Sequence, residues 1–238
     1  MTLCKNQKEG LVAKLTAFFK GLSGDEIDDV VAETRKLVNA ETLEERKDKL
    51  TKLFESQLEK LKSLGCPQAI LEAFQKKKDE VVNKASEMAI GEGNIPFLPV
   101  IPRGYMGIYA LMPMVKHEGK IGYTHLDPNE LTDVVETSKN PYYVFDVEDG
   151  KAILGKSPRD AEKIIKGQKR SCLIVDEVIA VGVHSEVLSD HYVDASGSRY
   201  KSDIVPGLCL LDGRPRLYGN DPGFSCGGWG SGSCGSRA

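Results

Sequence analysis

The chain changes its residue pattern once, at Gly91-Glu92-Gly93-Asn94, and that change limits the folds open to it. Before it, apolar residues recur at three- and four-residue steps, as on one face of a helix. Leu11, Leu15, Phe18, Phe19 and Leu22 form the first such face. Asp25 and Glu26 suit the positive end of a second helix, which carries Ile27, Val30, Val31, Thr34, Leu37 and Val38. Thr42 and Glu45 have capping-box spacing. The stripe Leu50, Leu53, Phe54, Gln57, Leu58, Leu61 and Leu64 follows, and Gly65-Cys66-Pro67 stops it. Pro67 then opens a helix bearing Ile70, Leu71, Phe74, Val81, Val82, Ala85, Met88 and Ala89. The leucine stripe spans only about three heptads and holds Gln57 in its middle, so packing within the chain is preferred to a coiled coil. Lys76-Lys77-Lys78 precedes Asp79 and Glu80 and reads as a solvated helix face.

After the break, prolines, glycines, β-branched and aromatic residues take over. Phe97–Ile101, Ile108–Val115, Tyr142–Val147 and Val205–Leu211 are expected strands. YYVFDVEDGKAIL and LCLLDGRPRLYG each place Asp-Gly between apolar runs, the signature of a hairpin. Ser157 as N-cap and Pro158 at the first helical position predict a helix to about Lys166, and Asp176–Val183 predicts another. Helices interspersed with hairpin-linked strands give an α+β fold with a mixed, largely antiparallel sheet. The expected division is a helical segment over 1–92 and a sheet domain over 93–238.

Lys14 and Lys20 interrupt the first apolar stretch, which argues against a secretory signal, and no segment reaches the length of a membrane span. Lysine and glutamate are interleaved, and the net charge of −3 supplies no basic field, so neither nucleic acid nor a membrane is an expected partner. A cytoplasmic location follows, and the six cysteines then read as free thiols rather than three bridges.

The closing run FSCGGWGSGSCGSRA holds Trp229, Cys226 and Cys234 among glycines. The two thiols admit a disulfide, a zinc site with Cys172, Cys209, His184 or His191, or a nucleophile. No C-x-x-C or C-x-x-H spacing favours zinc, so no metal or other cofactor is expected. The preferred reading makes both thiols small buried groups in a tight glycine turn. Trp229 reads as an anchor, or as one wall of a pocket. Arg199, Arg214, Arg216 and Arg237, with Asn220, could bind a carboxylate or phosphate through forked hydrogen bonds, without any Walker or Rossmann pattern in support. Asp146-x-Glu148-Asp149-Gly150 lacks the rest of a calcium loop, and no hydrolase motif surrounds Ser231 or Ser233.

Four blocks carry a resemblance: QLEKLKSLGCPQAI; PFLPVIPRGYMGIYALMPMVKHEGKIGYTHLDP; PYYVFDVEDGKA with SPRDAEKII; and Gly197-Ser198-Arg199 through VPGLCLLDGRPRLYGN to WGSGSCGSR. Together they resemble a mainly bacterial family known only as a domain of unknown function, over about residues 57–237 and most strongly at the C-terminal end. The resemblance implies a fold unit and no reaction. The leading expectation is a binding or structural protein for a small anionic ligand or a protein partner, with Trp229, Asn220, Arg199, Arg214 and Arg237 as candidate ligand-binding residues. The alternative is a thiol-dependent enzyme using Cys234 or Cys226.

Overall fold

The computed structural model describes residues 42–238. The two helices expected before Thr42 lie outside the described residues. The chain divides into two compact units, Met1–Lys49 and Leu50–Ala238, and the second holds all the strands described below.

Helix α1 (Leu43–Ser63) opens as its sequence predicts. Thr42 Oγ1 accepts from the Glu45 amide at 3.1 Å, and the Glu45 carboxylate accepts from the Thr42 amide at 2.9 Å. Two end-of-helix donors are thereby satisfied reciprocally. Leu50, Phe54, Gln57, Leu58 and Leu61 form the buried face. Gln57 belongs there because its side-chain amide donates to the Phe97 carbonyl at 2.8 Å, tying helix to strand inside the core. Gly65, at φ +82°, ends the helical run, a conformation that glycine adopts without steric cost. The single helix expected beyond Pro67 is two: α2 (Gln68–Gln75) and α3 (Lys78–Glu87). The chain turns at Lys77 (φ −95°, ψ 1°), and with neither Gly nor Pro to mark the turn, periodicity runs straight across it. Lys76 is exposed, and Lys78 reaches Glu55 on α1 at 2.7 Å.

Beyond the pattern change comes β1 (Ile95–Val100), followed by two short helices, α4 (Arg103–Met106) and α5 (Ile108–Leu111), and one 3-10 turn over Met112–Met114. The strand expected at Ile108–Val115 is therefore absent. Pro113 has no N–H for a ladder, and burial falls on Ile108, Leu111, Met112, Met114 and Val115, with both Leu111–Met112 and Met114–Val115 buried in succession rather than in alternation. The remaining helices are α6 (Pro158–Gly167) and α7 (Val175–His184). Ser157 caps α6 by accepting from the Asp160 amide at 3.3 Å.

The described strands form one three-stranded sheet, one five-stranded sheet and three two-stranded ladders. In the first, β6 (Tyr142–Val147) lies between β1 and β14 (Ser236–Arg237), antiparallel to both. That arrangement explains why YYVFDVEDGKAIL is no hairpin: both edges of β6 are already taken. Instead Gly150 (φ +104°) turns the chain into a 3-10 turn over Lys151–Ile153. The Glu148 carboxylate holds the turn, accepting from the amides of Gly150 and Ala152 at 3.0 and 2.9 Å.

The second sheet runs β12 (Trp229–Ser231), β8 (Tyr192–Asp194), β10 (Val205–Leu211), β11 (Arg214–Asn220), β4 (Tyr123–Thr124). The β10–β11 hairpin is the expected one. Asp212 and Gly213 occupy its turn at φ +52° and +69°, positive at both positions as a two-residue hairpin of matching twist requires. The ladders are β2 (Lys116–His117) with β3 (Lys120–Ile121), β5 (Leu131–Asp133) with β9 (Ser198–Tyr200), and β7 (Ser171–Cys172) with β13 (Ser233–Cys234).

One core joins the helices to both sheets. Phe54, Phe74, Phe97, Tyr143 and Phe145 meet within it, with Tyr143 stacked on Phe54 at 5.6 Å and edge-on to Phe74 at 5.3 Å. The glycine-rich ending is folded: its three short strands join three different sheets, and Ala238 exchanges backbone hydrogen bonds with Tyr143.

Candidate functional site

The C-terminal strands bring several charged side chains into the interior. Arg237, on β14, donates to both oxygens of Glu177 at 2.6 and 2.8 Å, to Ser171 Oγ at 2.6 Å and to the Cys172 carbonyl at 2.9 Å. Glu177 is fully buried near the start of α7 and also accepts from Tyr142 Oη at 2.8 Å and the Ile174 amide at 2.9 Å. Burial opposes the Arg237 charge, but the bidentate contact with Glu177 outweighs it and raises the guanidinium pKa. Burial, followed by the neighbouring Glu177 charge, keeps the Tyr142 phenol protonated far above its usual range.

Arg170 sits beside this cluster, bonded to the Asp146 carboxylate and carbonyl and to Ser233 Oγ at 2.9 Å. Burial pushes the Asp146 pKa up, but hydrogen bonds from Asn94, Gly91 and Arg170 prevail and lower it. Arg199, on β9, binds the Glu162 carboxylate and the carbonyls of Ser196 and Ser198.

Over these groups, beside α6 and β7, lies an open cleft of about 210 Å³. Val134, Val135, Glu162, Lys166, Arg170, Ser171, Cys172 and Ser196 line it. Two features of the lining are unspent. Lys166 is exposed and has no carboxylate partner among the described residues. The Ser171 hydroxyl accepts from Arg237, while its own hydrogen has no acceptor among the described residues. Both can serve a ligand.

The thiols here are not activated. Burial, aided by Glu162, pushes the Cys172 thiol up to about 11. Cys234 is fully buried, and burial with the Glu177 charge takes its thiol to about 12. Both stay protonated at neutral pH, the opposite of what a nucleophile needs. Cys226 is exposed, and neither it nor Cys234 is in a disulfide. Among the described residues no group of three or more His, Cys, Asp and Glu is placed to hold a metal ion.

The candidate residues read from the sequence thus fall at three places. Arg199 and Arg237 flank the cleft. Trp229 and Asn220 meet at Gly207, where an added Cβ would lie 2.5 Å from the Trp229 ring and 2.9 Å from Asp194 Oδ1. Trp229 packs edge-on against Tyr192 at 5.2 Å, and the buried Asn220 donates to Asp194 Oδ1 at 3.0 Å. Burial raises the Asp194 carboxyl to about 7, against the opposing pull of that one hydrogen bond. Arg214 lies elsewhere, exposed on β11 and stacked on Tyr123 at 4.5 Å.

Sequence reasoning missed Glu177, Lys166, Ser171 and Asp194. Each is an ordinary residue in its own element, and the bonds of Glu177 and Ser171 to Arg237 and of Asp194 to Asn220 form between positions far apart in the chain. Arg216 and Tyr218 did leave a signal, because RPRLY places Arg214, Arg216 and Tyr218 at alternate positions on one strand face.

The class of molecule is accordingly an α+β protein whose tail closes several sheets beside a polar cleft. Residues 52–221 match the model of a family of unknown function, DUF5701, and the chain belongs to that family. The closing residues 222–238 lie beyond the matched span. No curated protein and no solved structure matches the chain.

Proposed function

We propose that the chain is a binding protein that takes a small anion, a carboxylate or phosphate, in the cleft beside α6 and β7. One observation carries the reading: the unclaimed Ser171 hydroxyl, fixed by Arg237, lines the same cleft as the carboxylate-free Lys166. A cation and an oriented O–H donor are what an anionic oxygen requires. Arg170 and Arg199 are already held by Asp146 and Glu162, so binding does not have to order them. Val134 and Val135 offer an apolar wall for a short carbon chain. Free thiols at Cys66, Cys172, Cys209, Cys226 and Cys234 suit a reducing compartment, which supports a cytoplasmic location, in a bacterium as the family resemblance implies.

The test is titration calorimetry of the full chain with inorganic phosphate and with a short dicarboxylate. Saturable binding of at least one is expected, weakened roughly tenfold in Lys166→Glu and in Ser171→Ala, the loss of one charge-assisted hydrogen bond. Absence of binding by both anions, or equal binding by wild type and both variants, would refute the reading.

A further inference from the structure

We infer that the outward face of β11 and β4 docks an acidic segment of a partner protein. Arg214, Arg216 and Tyr218 alternate along β11, and register places Arg216 beside Tyr123 of β4. The Arg214 guanidinium lies 4.5 Å from the Tyr123 ring centre, and that of Arg216 lies 4.6 Å from Tyr218 and 5.9 Å from Tyr123. Arg216 Nε is buried with no hydrogen-bond partner among the described residues. Lys120 joins the patch by donating to the Asp212 carbonyl at the tip of the β10–β11 hairpin, at 2.7 Å.

Among the described residues, none of these three cations has a carboxylate partner, although acidic residues outnumber basic ones in the whole chain. The carboxylates of Asp212 and Glu118, in the adjoining turns, pair with none of them. Exposed Ile121 and Leu211 supply apolar surface beside the charges. Tyrosine and arginine together, with apolar neighbours and unpaired positive charge, is the composition of a protein-binding hot spot for a complementary acidic partner. A nucleic acid fits less well, because Tyr123 and Tyr218 already carry guanidinium groups against their rings, where bases would stack. This face is separate from the cleft, and nothing in its argument depends on anion binding there.

The experiment is fluorescence anisotropy with a labelled peptide of interspersed Glu and Leu, using the full chain at two salt concentrations. Wild type should bind, more weakly at the higher salt. Arg216→Glu and the more exposed Arg214→Glu should each lose roughly tenfold or more in affinity, about one strong hot-spot contact. Lys62→Glu, which makes the same charge change on α1, should leave binding within about twofold, as expected for a distant surface site. Circular dichroism identifies folded variants, and Arg214→Glu decides the matter if Arg216→Glu unfolds. No peptide binding by wild type, equal losses in all three variants, or tighter binding of poly(U) than of the peptide would each overturn the inference.

Discussion

The arginines in the interior and those on β11 have the same charge and opposite fates. Arg103, Arg170, Arg199 and Arg237 each meet a carboxylate, and each lies mostly out of solvent. Arg214 and Arg216 meet tyrosine rings and, among the described residues, no carboxylate. The first set is consumed in holding strands, turns and α7 together, whereas the second is held in place without being neutralised. Charge alone therefore does not mark a recognition residue; the presence or absence of an internal partner does.

Breaking the inner set should have the largest effect. Arg237→Met leaves the Glu177 carboxyl fully buried with, among the described residues, Tyr142 and the Ile174 amide as its remaining donors. Removing one partner of a buried pair typically costs about 3–5 kcal/mol, so a large fall in the denaturation midpoint is expected by chemical unfolding. Adding Glu177→Gln should restore much of the loss. A single variant as stable as wild type would mean that the pair does not hold the tail.

Asp194 tests the boundary between the two regions, since it lies on β8 beside Trp229 of the tail and Asn220 of β11. Its carboxyl titrates near 7 when folded, above the unfolded value of 3.8. The folded state therefore holds its proton longer. Stability from this group should fall as pH rises from about 4 to 7 and level off above, by an amount on the order of 3 kcal/mol. Asp194→Asn should remove that slope, so the gap between variant and wild type should widen with pH in parallel urea titrations. A constant gap from pH 4 to 8 would contradict the burial assigned to this carboxyl.

Gly230→Ala examines how tightly the tail is seated. A Cβ there would collide with the Gly150 carbonyl, where β12 crosses the turn after β6. Backbone cannot yield as a side-chain end can, and overpacking costs about 1–3 kcal/mol. Thermal unfolding should show the loss, while Gly228→Ala, which meets nothing within 4 Å, should change little.

These glycines also show where the sequence could be read and where it could not. The α+β class, the first described strand after Gly91-Glu92-Gly93-Asn94, the capping box at Thr42, α6 behind Ser157 and the β10–β11 hairpin all rest on local rules, and local rules are what sequence displays. The misread elements lost to tertiary context. The apparent hairpin after Tyr142 was pre-empted by two other strands pairing with β6, and the run from Ile108 followed helical burial around Pro113. The site was less legible still. Composition pointed to Arg199 and Arg237, but the carboxylate that each meets lies 37 and 60 positions away. The free cations on β11 were visible as alternating positions, yet their freedom was not.

The smallest expected effect belongs to that outer set, and it is the sharpest discriminator. Arg214→Ala removes an exposed stack on Tyr123 and one hydrogen bond, from Nε to the Ile121 carbonyl at 2.8 Å. Exposed cation–π contacts contribute about 0.5–1 kcal/mol, and water replaces the lost donor at the surface. The denaturation midpoint should therefore move by little, with a stability change of about 0.5 kcal/mol. A loss comparable to that of Arg237→Met would place Arg214 among the residues that hold the fold, and the distinction between spent and unspent arginines would collapse. A near-neutral result, with peptide affinity reduced by Arg214→Glu, would show one residue type divided by its surroundings between folding and recognition.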